Sequence, residues 1–169
     1  MFTPELMDAA GRVGSVLRER SETVVVAEGS AGGLISAALL SVPGASAYYL
    51  GGVVIYTAAA SRAWMAGAID TPPGLRGATE AFAEYLARSA MVRLGATWGL
   101  GEAGAAGPPN PYGDPAGHSW VAVAGPIDAT RHILTGVDER IDNMVSFACA
   151  ALELFAEVLA DADHAAPDV

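Results

Sequence analysis

A chain of 169 residues, 52% hydrophobic and 17% charged, can bury the core of one domain and is too apolar to stay unfolded. Its net charge of -10, with nine arginines and no lysine, excludes the basic face of a nucleic-acid binder and any step that needs a lysine as base, Schiff-base former or phosphate anchor. One cysteine, Cys149, leaves no disulfide framework or cysteine metal site, and no leader or run of about eighteen apolar residues is seen, so a cytoplasmic chain without a membrane span is expected.

Helical spacing of Leu6, Ala9, Ala10, Val13, Val16 and Leu17 predicts a helix over 4–20, with Thr3 as its N-cap and Pro4 in its first turn. Residues 23–28 are a short β-branched run, predicted as a buried strand. The run breaks at Gly29-Ser30, and Leu34, Ile35, Ala38 and Leu39 then recur at helical spacing to Leu40. A strand, tight turn and helix of this kind places free N–H groups at a sheet edge, where α/β folds bind ligands.

Residues 48–57 predict a strand with a bulge at Gly51-Gly52, and 58–66 a short helix carrying Arg62, Trp64 and Met65. After the Thr71-Pro72-Pro73-Gly74 breaker, 79–94 is an amphipathic helix ending at Gly95. Residues 96–103 are predicted as a strand, and 104–116, with four prolines and three glycines, as the longest loop. Strands over 118–124 and 130–135 form a hairpin, and 138–160 is the last helix, followed by a polar tail over 161–169. One domain over 1–160 with no linker follows: a three-layer α/β/α sandwich with a mixed, mostly parallel sheet.

Several motifs, in this order, resemble the nicotinamide-nucleotide amidohydrolase family, the C-terminal domain of competence/damage-inducible protein A. Ala27-Glu28-Gly29-Ser30-Ala31-Gly32-Gly33 resembles its Ala-Glu-Ser-Cys-Thr-Gly-Gly turn. Gly52-Val53-Val54-Ile55-Tyr56-Thr57 resembles its strand ending in tyrosine, and Gly101-Glu102-Ala103-Gly104 its Gly-Ile-Ala-Gly-Pro. Asp114-Pro115-Ala116-Gly117-His118-Ser119-Trp120 resembles its Lys-Pro-Val-Gly-Thr-Val-Trp, and Thr135-Gly136 its Ser-Gly before the final helix. The resemblance implies the α/β fold, no cofactor, and hydrolysis of the carboxamide of nicotinamide mononucleotide by a serine, with the tyrosine and a lysine nearby.

Three positions depart from that pattern. Gly29 stands at the serine, Ser61 at the first lysine and Asp114 at the second; Tyr56 is kept. A small molecule other than nicotinamide mononucleotide is therefore expected as substrate. Two alternatives stay open: a silent member that binds a ligand or partner subunit, and an amidase that uses Ser30 as a shifted nucleophile. A structural or oligomer-forming domain with no ligand is a further class.

Ser30, Tyr56, Glu102 and His118 are the candidate catalytic residues. Ser30 reads equally as a helix N-cap, Glu102 as the partner of Arg62 or Arg76, and His118 as an ordinary surface or core histidine. Glu28, Gly29, Ala31, Gly32, Arg62, Tyr112 and Asp114 are the candidate ligand-binding residues, although Glu28 also suits a carboxylate bonded to nearby backbone N–H groups. A metal on His118, Glu102 and Asp114 lacks any known ligand spacing, so no metal is expected. Glu28, Glu102 and Asp114 together predict an acidic pocket that prefers a neutral or cationic ligand, with His118 at its rim. The apolar content suits a homo-oligomer.

Overall fold

The computed structural model describes residues 2–165. In chain order the elements are α1 (Pro4–Arg20), β1 (Val24–Glu28), α2 (Leu34–Ser41), β2 (Tyr49–Val54), α3 (Ala58–Met65), α4 (Glu80–Leu94), β3 (Trp98–Ala105), β4 (His118–Ala124), β5 (Ala129–Leu134) and α5 (Arg140–Ala165). The five strands form one sheet in the order β2-β1-β3-β4-β5. β1 pairs parallel with β2 and β3, while β3–β4 and β4–β5 are antiparallel, so the sheet is mixed as the sequence predicts.

Helices cover both faces. α1, α2 and α5 bury Leu6, Val13, Leu39, Phe147, Leu152 and Phe155 against Val24, Val26, Trp98, Val121 and Val123. On the other face α4 buries Ala83, Leu86, Ala87 and Ala90 against Val25, Ala27, Ala103 and Ala122, with Met65 of α3 beside them. This face is built of small residues because α4 lies close to β3. A Cβ on Gly99 would overlap the Ala87 carbonyl oxygen, and one on Gly101 that of Ala83.

Local chemistry sets the boundaries. Thr3, Thr57 and Thr79 each cap a helix by accepting a backbone N–H three residues on. The break in β2 falls at Leu50, where the register against β1 jumps from Tyr49 to Gly51. β2 is shorter than expected, and Ile55 and Tyr56 lie beyond its end. β3 has the expected length but is shifted by two residues: it begins at Trp98, and Gly104 and Ala105 still pair with Ser119 and His118. α5 continues to Ala165, into the expected tail, and residues 166–169 of that tail lie outside the described residues. Over Arg140–Ala162 this helix is long and apolar enough to cross a membrane, with 50% of its most apolar stretch buried inside the fold.

Candidate active site

β1, β2 and β3 run parallel, so their C-terminal ends open at one sheet edge. A cleft of about 550 Å³ lies there. Its walls are the Gly29-Ser30 turn, Tyr56 after β2, α3 with Ser61 and Arg62, the segment around Arg76, the end of β3 with the 106–112 loop, and Arg140 at the start of α5.

The floor is organised by Glu102. This side chain is fully buried and lies under the β1–α2 turn. Its Oε2 accepts the N–H groups of Gly29 at 3.1 Å and Ala31 at 2.8 Å. Its Oε1 accepts the hydroxyls of Ser30 at 2.5 Å and Ser119 at 2.7 Å. Backbone N–H groups only donate, so a proton on Glu102 has one place to sit: Oε1, between the two serines. Burial pushes the Glu102 carboxyl above the usual carboxylate range, the bonds from Ser30, Ala31 and Ser119 pull the other way, and the Glu28 charge adds to the rise.

Ser30 is 5% exposed, lines the cleft and belongs to the same turn that Glu102 holds. It does not cap α2. That role falls to Glu28, whose carboxylate accepts the N–H groups of Gly33, Ile35 and Ser36 and the Ser36 hydroxyl. Glu28 is fully buried and does not line the cleft, so it is a helix-capping group rather than a ligand contact. Most of the N–H groups expected to be free at this turn are thereby taken, by Glu28 at α2 and by Glu102 at Gly29 and Ala31, whereas the Ser30 N–H meets no acceptor among the described residues.

Tyr56 stands at the cleft wall, 64% exposed, and its hydroxyl accepts from Arg140 at 2.9 Å. Arg140 also donates to the Gly107 carbonyl, which ties α5 to the loop. Arg76 holds Asp114 at 2.7 Å and lies over the Tyr112 ring at 5.1 Å. Asp114 is therefore engaged by a cation, and that guanidinium holds its carboxyl down at about 2. Arg62 lines the cleft and makes no hydrogen bond or ion pair among the described residues.

The structure brings Gly29, Ser30, Tyr56, Arg62 and Tyr112 into one cleft. Glu102 sits beneath it, and Ala31 and Gly32 are in the turn behind it. His118 is not among the lining residues: one ring nitrogen meets the Ala78 carbonyl at 2.9 Å and the other meets His132 at 2.9 Å. Neighbouring residues of a strand point to opposite faces, so Ser119 reaches Glu102 and His118 does not. Glu102 pairs with neither Arg62 nor Arg76. Among the described residues no three His, Cys, Asp or Glu side chains could hold a metal together.

The acidic pocket expected from the sequence is corrected by this geometry. The lining has three arginines, Arg62, Arg76 and Arg140, and no carboxylate, because Glu28 and Glu102 turn inward and Asp114 is held behind Arg76. Ser119 and Arg140 belong to the site as well, although neither is among the residues the sequence singles out. A polar residue on the face of Val121 and Val123 signals the first, and a basic residue opening the last helix signals the second.

A family model described as the CinA C-terminal domain matches residues 7–159. A CinA-like protein of Prochlorococcus marinus is 40% identical over 112 residues, covering 66% of this chain and 26% of its own length. A CinA-like protein of Salinibacter ruber is 39% identical over 145 residues, covering 83% of this chain and 34% of its own length. The chain thus spans between a quarter and about a third of these relatives. The crystal structure of competence/damage inducible protein CihA from Agrobacterium tumefaciens superimposes with a TM-score of 0.85 at 24% identity, covering 95% of this chain and 98% of that one. At that identity the likeness shows the fold.

Proposed function

The chain belongs to the CinA C-terminal domain family, and we propose that it acts on a small anionic molecule by acyl transfer, with Ser30 as nucleophile and Glu102 as its base. One observation carries this reading: a serine hydroxyl in the cleft donates at 2.5 Å to a buried carboxylate whose only open proton site faces it. A hydroxyl becomes a useful nucleophile when an adjacent base takes its proton, and burial makes Glu102 a stronger base than a carboxylate in water. Arg62 and Arg140 supply the positive charge that a phosphate or carboxylate group on the substrate requires, the Arg76 charge being offset by Asp114. With the Gly29, Ala31 and α2 amides taken, the donors left near the turn for the developing oxyanion are the Ser30 N–H and the arginines, of which Arg62 is unengaged.

Nicotinamide mononucleotide is not the expected substrate. Gly29 and Ser61 stand where the resemblance places serine and lysine, and Ser30 Oγ points one residue further along the turn, towards Glu102. Binding without turnover is the second reading. It is favoured by the four donors that satisfy Glu102 and by the capture of the α2 N–H groups by Glu28. Under either reading we place the protein in the cytoplasm and expect its copies to associate, which light scattering checks.

A panel of matched small molecules, anionic, neutral and cationic, tests the proposal by thermal shift and by release of ammonia or alcohol from their amides and esters. The anionic members should raise the melting temperature and the others should not. Turnover should vanish in Ser30→Ala while binding stays, and nicotinamide mononucleotide should release no ammonia above background. Stabilisation by cationic compounds alone, or turnover that survives Ser30→Ala, contradicts the reading. Binding of anions with no turnover in either protein selects the second reading.

A further inference from the structure

We propose that Ser119 is a positioning residue for Ser30: by donating to Glu102 Oε1 across the β3–β4 ladder, it fixes the oxygen that takes the Ser30 proton and sets the pH at which it does so. The inference rests on the reading of Ser30 and Glu102 as a reactive pair.

The inward face of β4 is otherwise Val121 and Val123, so a hydroxyl there is an exception. Ser119 is fully buried, and Glu102 Oε1 at 2.7 Å is the partner that satisfies it. The backbone makes room for this contact. Ser119 lies opposite Gly104, and a Cβ on Gly104 would overlap the Ser119 side chain. The two side chains then meet on the diagonal between Ser119 and Glu102, which lie on one face of the ladder.

Oε2 is filled by the Gly29 and Ala31 N–H groups, so the Ser30 proton must arrive on Oε1. When Ser30 Oγ attacks, the electron pair of its O–H bond forms the new bond and its proton moves to Oε1. The leaving group departs with the electron pair of its own bond. Ser119 donates to the same oxygen and favours its charged form, so loss of that donor moves the titration of Glu102 to higher pH. The other groups around Glu102 do not offset this. Glu28 on β1 is the charge that acts on it, α2 carries no charged residue, and α5 turns the uncharged Asn143 and Phe147 inward.

The test follows phosphonylation of Ser30 by a fluorophosphonate, in which an O–P bond forms and fluoride leaves, as a function of pH. It compares the wild type with Ser119→Ala and Ser119→Thr. The Glu102 carboxyl is titrated in the same three proteins by carbon-13 NMR, assigned with Glu102→Gln. In Ser119→Ala the acid limb of the labelling profile and the Glu102 midpoint should both rise by about one to two pH units, and Ser119→Thr should restore them. Labelling of Ser30 with the same midpoint in wild type and Ser119→Ala overturns the inference alone. A wild-type Ser30 that is not labelled at any pH overturns the reading of Ser30 itself, and the inference with it.

Discussion

Glu28 and Glu102 face each other in register on adjacent parallel strands, and both are fully buried. Different donors give them different work. Glu28 meets three amides and a hydroxyl of α2 and serves as that helix's counter-charge. Glu102 meets two amides and two hydroxyls, one of which opens to the cleft. Asp114 is a third case, set by Arg76. Its folded value is lowered from 3.8 to about 2, so its contribution to stability is present above the ordinary value and is lost as pH falls through about 2. Asp114→Asn should therefore be less stable than wild type in urea unfolding at pH 6, and the two should converge as pH falls towards 2. A gap that stays constant with pH contradicts this.

At the scale of elements, the β1–α2 turn is the part under most tension between packing and polarity. Five backbone N–H groups of the turn and first helical residues, from Gly29 to Ser36, find acceptors in two buried carboxylates. Glu28→Ala would leave the α2 groups without partners in a site closed to water. It should cost about 3 kcal/mol or more in denaturant unfolding, with faster amide exchange at Gly33, Ile35 and Ser36. A loss under about 1 kcal/mol would mean that water replaces the carboxylate. The strand–turn–helix unit is legible in the sequence, since Val24, Val25 and Val26 precede the glycines and a helical stripe follows. The partner of the turn is not legible, because Glu102 is 72 residues from Ser30 in sequence and reaches it through the β1–β3 pairing.

At the scale of the molecule, alternation of apolar runs and helical stripes foretells the three layers, and Val53, Val54, Val121 and Val123 take their expected places in the sheet. The glycines of β3 mislead at its end. Gly104 reads as loop, yet it stays in the strand because Ser119 and His118 occupy the space a side chain would need. The sign of the cleft also escapes a linear reading. Carboxylates can be counted along the chain, but whether they face the cleft or the core depends on strand pairing. The arginines arrive from α3, from the segment before α4 and from α5. One consequence is that net charge, -10 for the chain, does not describe the site.

Mapping the site of fluorophosphonate modification by mass spectrometry tests the central claim most directly, because Ser61 lines the same cleft and serves as an internal comparison. The Ser30–Glu102 account predicts a single adduct on Ser30, absent in Ser30→Ala and reduced at least tenfold in Glu102→Gln, whose amide matches the carboxyl in size but cannot take the proton; a thermal melt checks that this variant is folded. An adduct on Ser61, or labelling of Ser30 that Glu102→Gln leaves unchanged, would contradict it.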